Sequence, residues 1–332
     1  MPDKYKSIWL SHSSINDFLS CNRLYYLKNV FKDPVTRRKI NIASPYLTLG
    51  ITVHKVIENL KNIKTIDREK EIKENLLNNF KEEWKKYNLK KGGFESEEEE
   101  KVFFERGIEM IKKVIENPNV LLNKIIPLSY FYTGDMIPNY FISPEENLIL
   151  CGSIDWIEYL EKEDSLRIID FKTGRNDEDE DSFQLPIYYL LLTNLQKENN
   201  KSKVYNIKEF AYWYLDYENK KENTTHDEFQ IIKKDDNKLK DIEKVKEKII
   251  SIGKDIALFR ESGDFKCNNE NEVGEGCKHC QNFEKVYRFI EKRELEKKEN
   301  TKTILLDNEN NIQKNVEYIG VSDYNQDMYF VK

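Results

Sequence analysis

The sequence lacks any long apolar run. No stretch approaches the ~20 consecutive apolar residues that a membrane-spanning helix needs. The first residues, Met-Pro-Asp-Lys-Tyr-Lys, contain no apolar run of the kind found in a signal peptide. We therefore expect an intracellular, cytoplasmic protein without a membrane partner.

An excess of positive charge is also missing. The 332 residues include 54 Lys+Arg and 60 Asp+Glu, and the net charge of −6 argues against a protein that coats nucleic acid non-specifically. In contrast, hydrophobic residues make up 39% and aromatic residues 12% of the chain, which is enough for a buried core and excludes a disordered protein. The length fits one elaborated domain or two smaller ones.

The sign of the charge reverses near the start of the chain. A helix is predicted over Ser11–Val30. Its second half and the residues that follow it, 23–39 together, contain one acid, Asp33, and the basic residues Arg23, Lys28, Lys32, Arg37, Arg38 and Lys39. This segment is either a solvated charged face or a surface that contacts phosphates.

Apolar periodicity predicts the other elements. Helical spacing covers most of residues 47–125, and further helices are predicted at Ser182–Gln196, at Asp236–Phe259 and in a charged segment ending near Lys298. Predicted strands are Ser129–Thr133, Tyr140–Ser143, Leu148–Leu160, Leu166–Lys172, Glu209–Tyr217, Thr303–Leu306 and Met328–Val331. This order predicts a mixed α/β fold around one sheet.

The stretch Asp170-Phe-Lys172-Thr-Gly is the most informative one. Alternate side chains of a strand share a face, so Asp170 and Lys172 should project together at the end of their strand. Asp155 belongs to the preceding strand of a predicted hairpin and could approach Asp170 across the pair. Two converging carboxylates suit Mg²⁺ or Mn²⁺, whereas an Asp-x-Lys alone is more typical of a surface ion pair.

Two further pairs have the i,i+4 spacing of one helix face. His54 and Glu58 could add metal ligands, although a single histidine is more often a core or capping residue. Gln184 and Tyr188 begin the helix after the Asp-x-Lys strand, where simple helix packing would also explain them.

Together these segments resemble the RecB-type branch of the PD-(D/E)xK nuclease superfamily, including its CRISPR-adaptation-nuclease-like exonucleases. The matching motifs run in the family's order from Ser14 to Cys280: Ser14-Ile-x-x-Phe-x-x-Cys-x-Arg-x-Tyr-Tyr, Leu49-Gly-x-x-x-His54-x-x-x-Glu58, Gly152-x-x-Asp155, Asp170-x-Lys172-Thr-Gly, Gln184-x-x-x-Tyr188 and the C-terminal cysteines.

The resemblance implies a role for each matching residue. His54, Asp155, Asp170 and the backbone carbonyl of Phe171 would hold Mg²⁺ or Mn²⁺, and Glu58 matches a position that often carries an acid. Lys172 would be the catalytic lysine, with Gln184 and Tyr188 shaping the DNA-binding side of the site. The local excess of basic residues, rather than the resemblance, suggests that Arg23, Lys28, Arg37 and Arg38 contact DNA. The acidic run Asp177–Asp181 is either an outward loop or a screen against DNA.

The resemblance also implies a fold and an activity. We expect a restriction-endonuclease-like mixed central sheet flanked by helices, with a helical insertion. The expected activity is that of a metal-dependent deoxyribonuclease, an exonuclease acting on single-stranded or duplex DNA ends in recombination, repair or phage-type DNA metabolism. The alternative is a non-catalytic DNA-binding or scaffold subunit of a larger complex. No Gly-x-x-x-x-Gly-Lys-Ser/Thr loop is present, so unwinding would need a helicase or recombination partner.

Cysteines define a second candidate site. Relatives in this branch that process DNA ends, such as AddB-type subunits, often carry a four-iron four-sulfur cluster, with one ligand from the first helix and three near the C-terminus. Cys21, Cys277 and Cys280 match that pattern, but no cysteine follows Cys280, and Cys267 is the available substitute. The four thiolates could hold an iron–sulfur cluster or Zn²⁺, with His279 as a replacement ligand for Zn²⁺. Cys151 fits a buried core position.

The motifs divide the chain into five predicted segments. These are 1–46, the first helix and basic segment of the nuclease domain; 47–126, a helical insertion or lid that carries the His motif; 127–265, the catalytic core; 266–293, the cysteine-bearing segment; and 294–332, a tail.

Overall fold

The structure is a computed structural model. It describes residues 4, 6–174, 182–198, 203–216, 229–233, 241–267, 276–299, 315–322 and 326–331. The predicted strand Thr303–Leu306 and the acidic run Asp177–Asp181 lie outside the described residues.

The described residues form eight α-helices and ten strands. The helices are α1 (His12–Ser20), α2 (Asn22–Tyr25), α3 (Pro45–Asn59), α4 (Thr65–Trp84), α5 (Glu97–Glu116), α6 (Gln184–Glu198), α7 (Ile242–Ser262) and α8 (Gln281–Glu299). The strands are β1 (Ile8–Leu10), β2 (Lys39–Ile42), β3 (Asn139–Ser143), β4 (Leu148–Cys151), β5 (Trp156–Leu160), β6 (Ser165–Lys172), β7 (Asn206–Tyr214), β8 (Phe229–Lys233), β9 (Val316–Val321) and β10 (Gln326–Val331).

Shorter helical turns connect these elements. A π-helical turn follows α2 at Tyr26–Val30. The 3₁₀ turns are Leu60–Asn62, Lys85–Tyr87, Leu89–Gly92, Asn119–Leu122, Leu128–Tyr130 and Glu161–Glu163. No helix in the described part of the chain is long and apolar enough to cross a membrane.

The chain divides into two compact units. Unit 1 comprises Met1–His12, Leu49–Lys85 and Val102–Asp255, and unit 2 comprises Ser13–Thr48, Lys86–Lys101 and Ile256–Lys332. The five-segment division drawn from the motifs stays a prediction.

The described strands form three sheets, which confirms the mixed α/β class. Unit 1 holds a four-stranded sheet of order β5-β6-β7-β8 and a three-stranded sheet of order β1-β4-β3. Unit 2 holds a three-stranded sheet of order β2-β10-β9. Each sheet contains both parallel and antiparallel pairs.

The four-stranded sheet positions the Asp-x-Lys motif. β5 and β6 form the predicted antiparallel hairpin, with Trp156 opposite Ile169. β6 then pairs in parallel with β7, and α6 lies between these strands in the chain and packs against β7. Ile168, Ile169 and Phe171 are almost fully buried, as expected for an inner strand covered on both faces.

The sequence predicted one continuous strand over Leu148–Leu160, and this is wrong. The run splits into β4 and β5, which belong to different sheets, and Gly152–Asp155 lies between them. The Gly152 N–H donates to the carbonyl of Pro138 at 3.1 Å. A glycine lowers strand propensity, so the chain can leave one sheet here and enter the other.

The predicted strand Ser129–Thr133 is also wrong, because its first residues belong to the 3₁₀ turn Leu128–Tyr130. The Tyr130 N–H donates to the carbonyl of Pro127 at 2.9 Å, and the Phe131 N–H donates to that of Leu128 at 3.0 Å. Local bonds therefore satisfy backbone groups that a strand would pair with a neighbour.

The predicted helix Ser11–Val30 is interrupted at Cys21. This residue has extended backbone angles, φ −169° and ψ 122°, and separates α1 from α2. The remaining predicted helices are confirmed within the described residues, except that α7 begins at Ile242 and residues 236–240 lie outside the described ranges.

Unit 2 has its own apolar core beneath α8. Val286 and Ile290 of α8 are fully buried and lie in one cluster with Ile40, Val316 and Tyr329 from the three strands. β10 pairs in parallel with β2, although the two are far apart in the sequence.

Candidate active site

The carboxylates of the Asp-x-Lys hairpin lie together in unit 1. Asp155 directly precedes β5, and extending the β5–β6 register places it opposite Asp170. Its Oδ2 accepts a hydrogen bond of 2.9 Å from the Phe171 N–H. Both aspartates are buried. A short hydrogen-bonded hairpin therefore fixes two carboxylates at one end of a central strand.

Helix α3 brings His54 and Glu58 to the same place. His54 Nδ1 lies 3.3 Å from Asp155 Oδ2, and its ring meets that of Phe171 edge-on at 6.0 Å. A Cβ at Gly50 would lie 3.3 Å from Thr173 Oγ1, closer than ordinary van der Waals contact. The absence of a side chain at Gly50 thus lets α3 approach the end of β6.

His54, Glu58 and Asp155 form a possible metal-binding group. One ligand atom from each of these residues lies within 4.8 Å of the others. An imidazole with two carboxylates suits a divalent cation such as Mn²⁺, and carboxylates suit Mg²⁺. Asp170 lies outside this group of three, so the closest donor set includes Glu58 rather than Asp170.

Asp170 is held by three side chains instead. Its Oδ1 accepts hydrogen bonds from Gln184 Nε2 at 2.6 Å and from the Tyr188 hydroxyl at 3.1 Å. Its Oδ2 lies 2.8 Å from Lys172 Nζ. An ionised carboxylate has about four acceptor positions, so the contacts made by the described residues leave one of them for a cation.

Gln184 links the lysine to the aspartate. Its Oε1 accepts a hydrogen bond of 2.5 Å from Lys172 Nζ, while its Nε2 donates to Asp170 and lies 3.0 Å from the Tyr188 hydroxyl. The Lys172 ammonium also lies 4.8 Å from the ring centre of Tyr212. The i,i+4 pair on α6 therefore orients the two charged groups of the motif as well as packing in the core.

Tyr212 is a residue of the site that the sequence motifs do not predict. The β6–β7 register places it opposite Asp170. The sequence signal is the alternating Tyr212-Trp-Tyr214 pattern of a predicted strand, but that pattern does not reveal which strand it pairs with.

Burial and neighbouring charges shift the pKa values of the site. Burial and the negative charge of Asp155 raise the pKa of Asp170 to about 6, even though Lys172 acts in the opposite direction. Burial alone would lower the pKa of His54, but its hydrogen bond to Asp155 and the surrounding carboxylates raise it. Burial would raise the pKa of Asp155, and the His54 ring and the Phe171 N–H lower it. Burial and Asp155 raise the pKa of Glu58. Concentrated negative charge of this kind favours cation binding.

The four predicted cysteine ligands lie together in unit 2. Cys21, Cys267, Cys277 and Cys280 are all buried, and one sulfur from each lies within 4.8 Å of the others. Burial alone would raise the pKa of Cys277, but N–H groups of His279 and Cys280 lower it to about 7. His279 is exposed and outside this group, and Cys151 is buried in β4.

Arg23 lies inside unit 2, next to the cysteine group. Its Nε and Nη2 donate to the two carboxylate oxygens of Glu284 at 2.8 and 3.2 Å, and its Nη1 donates to the carbonyl of Phe265 at 3.3 Å. Its guanidinium also faces the rings of Tyr26 and Tyr287. Arg23 thus joins three segments that carry cysteines.

The other residues predicted to contact DNA differ in their surroundings. Lys28 pairs with Asp17 at 2.7 Å. Arg37 is exposed and Arg38 is half-buried. Of the four, Arg37 therefore offers the most accessible positive charge.

Arg23→Ala should loosen the cysteine-bearing segments. Removing a mostly buried, bidentate partner of Glu284 should lower the free energy of local opening by about 1–3 kcal/mol. The measurement is the rate at which the buried cysteines react with a thiol reagent in the presence of a strong chelator, and it should rise about 5- to 150-fold.

Arg288→Ala is the matched control. Arg288 also approaches Glu284, at 3.5 Å, but its side chain is 40% exposed. Its removal should change the labelling rate by no more than about twofold. Equal labelling rates for Arg23→Ala and the parent protein would show that the Arg23 bridge does not hold these segments.

Comparison with known proteins agrees with this geometry. The family model described as PD-(D/E)XK nuclease superfamily matches residues 9–282. That range contains both the carboxylate site and the cysteine group. A search of curated proteins found no match.

Proposed function

The chain belongs to the PD-(D/E)XK nuclease superfamily, and from this premise we propose that it is a metal-dependent deoxyribonuclease that digests DNA from its ends. The observation that carries the proposal is the Asp170–Lys172–Gln184 network beside Asp155 and His54. The proposed context is recombination, repair or phage-type DNA metabolism.

The site would hold Mg²⁺ or Mn²⁺. His54, Asp155, Asp170 and the Phe171 carbonyl are the proposed ligands, and Glu58 joins them because its carboxylate lies with His54 and Asp155. When bound, the ion would activate water and neutralise charge that develops on the phosphate. The buried carboxylates supply the negative charge that attracts it.

Lys172 is the proposed catalytic lysine. Gln184 and Asp170 hold its ammonium at the end of β6, where it would orient the attacking water and offset negative charge on the phosphodiester. Gln184 and Tyr188 act by fixing this arrangement, because both bond to Asp170 Oδ1. A network of fixed polar groups costs little reorganisation during the reaction.

DNA phosphates would be bound by the basic segment of residues 23–39. Arg37 and Arg38 are the proposed direct contacts, whereas the internal pairs of Arg23 and Lys28 assign those two mainly to support. We propose single-stranded or duplex ends as the substrate, a lid role for residues 47–126, and a helicase or recombination protein as the partner that unwinds DNA.

The experiment compares end-labelled linear DNA with a covalently closed circle of the same sequence. In Mg²⁺ or Mn²⁺, the protein should shorten linear strands from their ends and leave the circle closed. Nicking or linearisation of the circle would overturn the exonuclease assignment while keeping a nuclease.

A non-catalytic scaffold gives a different result in the same assay. The protein would then cut neither DNA, although a gel-shift measurement would show that it binds both of them. The paired Asp170 and Lys172 favour catalysis over this alternative, since a scaffold does not need an ion pair buried beside a second carboxylate.

A further inference from the structure

The cysteine group of unit 2 has the dimensions of a single-ion site. Three sulfur–sulfur distances are 3.5 Å for Cys21–Cys267, 3.7 Å for Cys280–Cys267 and 3.8 Å for Cys277–Cys280. The four sulfurs all lie within 4.8 Å of one another. None of these residues takes part in the proposed cleavage chemistry.

These distances match a tetrahedron around zinc. Zn²⁺ binds thiolate sulfur at about 2.3 Å, so the edges of a regular tetrahedron of sulfurs are about 3.8 Å long. In a four-iron cluster each cysteine binds a different iron atom, and the sulfurs must surround the whole cluster. Such sulfurs lie much farther apart than the edges of a single-ion tetrahedron. The cysteine group therefore does not fit the cluster that the family resemblance implies.

We infer that Cys21, Cys267, Cys277 and Cys280 hold one Zn²⁺ ion in tetrahedral coordination. Each thiolate supplies one sulfur, and the four close a structural site with no open position. Cys267 is the fourth ligand, because His279 is exposed and lies outside the group.

The surroundings are suited to a closed, dry site. Leu24 and Leu27 are buried against the cysteines, and Tyr26, Phe283 and Tyr287 pack around them. Solvent-excluding apolar walls of this kind protect metal–thiolate bonds. The ion would then hold α2, the segment before Cys267 and the start of α8 in one arrangement.

Local backbone geometry shapes the turn that carries two of the ligands. The N–H groups of Cys280 and Gln281 both donate to the Cys277 carbonyl, at 3.0 and 2.9 Å, at the start of α8. Gly276 has φ +81°, and a Cβ there would lie 2.7 Å from Cys280 Sγ. Only glycine meets both demands without strain.

The test is metal analysis of the full-length protein, purified in parallel with and without oxygen. We expect one zinc per chain in both preparations, with no acid-labile sulfide and no broad visible absorption. Replacing the ion with Co²⁺ should produce the intense visible bands of tetrahedral cobalt–thiolate coordination. Iron with acid-labile sulfide in the oxygen-free preparation would overturn the inference, as would a protein that contains no metal and has all its thiols free or paired in disulfides.

Two variants distinguish the loss of a zinc ligand from the general effect of losing a buried cysteine. Cys267→Ala should lower zinc content at least about tenfold after mild chelation, because second-sphere changes alone already weaken metal binding 10- to 100-fold. Cys151→Ala removes another buried cysteine and should keep one zinc per chain. Full zinc retention by Cys267→Ala would contradict the four-cysteine assignment. Zinc content does not depend on DNA cleavage, so this result and that of the nuclease assay can fail separately.

Discussion

Asp170→Asn is expected to lower the rate of DNA cleavage at least about 10³-fold, because the amide cannot supply a negative charge to a divalent cation. The replacement keeps the size of the side chain and its contacts with Gln184 and Tyr188. The loss should therefore come from the missing negative charge, which also ends the ion pair with Lys172. The measurement is the initial rate of release of labelled nucleotides from linear DNA in Mn²⁺.

Asp164→Asn is the matched control for this change. Asp164 lies in the turn of the same hairpin, and its side chain is 54% exposed. Its φ of +47° is one that asparagine readily adopts. Cleavage by this variant should stay within about twofold of the parent rate. If Asp170→Asn kept more than about a tenth of the activity, Asp170 would not be a catalytic ligand.

Asp170→Asn should also make metal-free unit 1 more stable at neutral pH. The pKa of Asp170 is raised from 3.8 to about 6, so its folded-state carboxyl binds a proton more tightly than its unfolded-state carboxyl. The stability that this tighter proton binding gives the folded state is fully present below about pH 4 and is lost as the pH rises through 6. Since the side chain is only 4% exposed, the neutral amide should gain about 1–3 kcal/mol at pH 7.5.

Tryptophan fluorescence during urea unfolding in a chelator can measure this gain. All four tryptophans, Trp9, Trp84, Trp156 and Trp213, lie in unit 1. The difference between variant and parent should shrink as the pH is lowered from 7.5 to 5. A variant less stable than the parent at pH 7.5 would show that the ion pair with Lys172 outweighs the cost of burying the Asp170 charge. Greater stability with lower activity would identify a site that sacrifices stability for function.

The sequence predicted the hairpin at the centre of the site well. Alternation placed Asp170 and Lys172 on one face, and the pairing of β5 with β6 and the 2.8 Å contact agree with that expectation. The precise partners were not predictable, because hydrogen bonds such as Lys172 to Gln184 depend on where α6 lies in space. The catalytic roles of these residues stay predictions.

Long-range pairing limited the prediction of the fold. β1 has three residues, too few for a periodic pattern, and it pairs with β4 far along the chain. β2 pairs with β10 across almost the whole sequence. Local propensity carries no signal for such partners. The sequence therefore predicted one sheet, whereas the described strands form three sheets.

For the cysteine group, the long-range partners were predictable, but the local backbone and the type of metal site were not. Its membership was predictable from the family resemblance together with the positions of the cysteines, including the substitution of Cys267 for the missing ligand after Cys280. The break at Cys21 was not, since the apolar pattern continues from α1 into α2. Nor could spacing alone distinguish one metal ion from a cluster, because that choice depends on distances between sulfurs.

The most direct test of the nuclease assignment is cleavage of end-labelled linear DNA by the purified protein with and without a divalent ion. The carboxylate site predicts release of labelled products only after Mg²⁺ or Mn²⁺ is added. No cleavage with either ion, or equal cleavage in its absence, would contradict a metal-dependent nuclease at His54, Asp155 and Asp170.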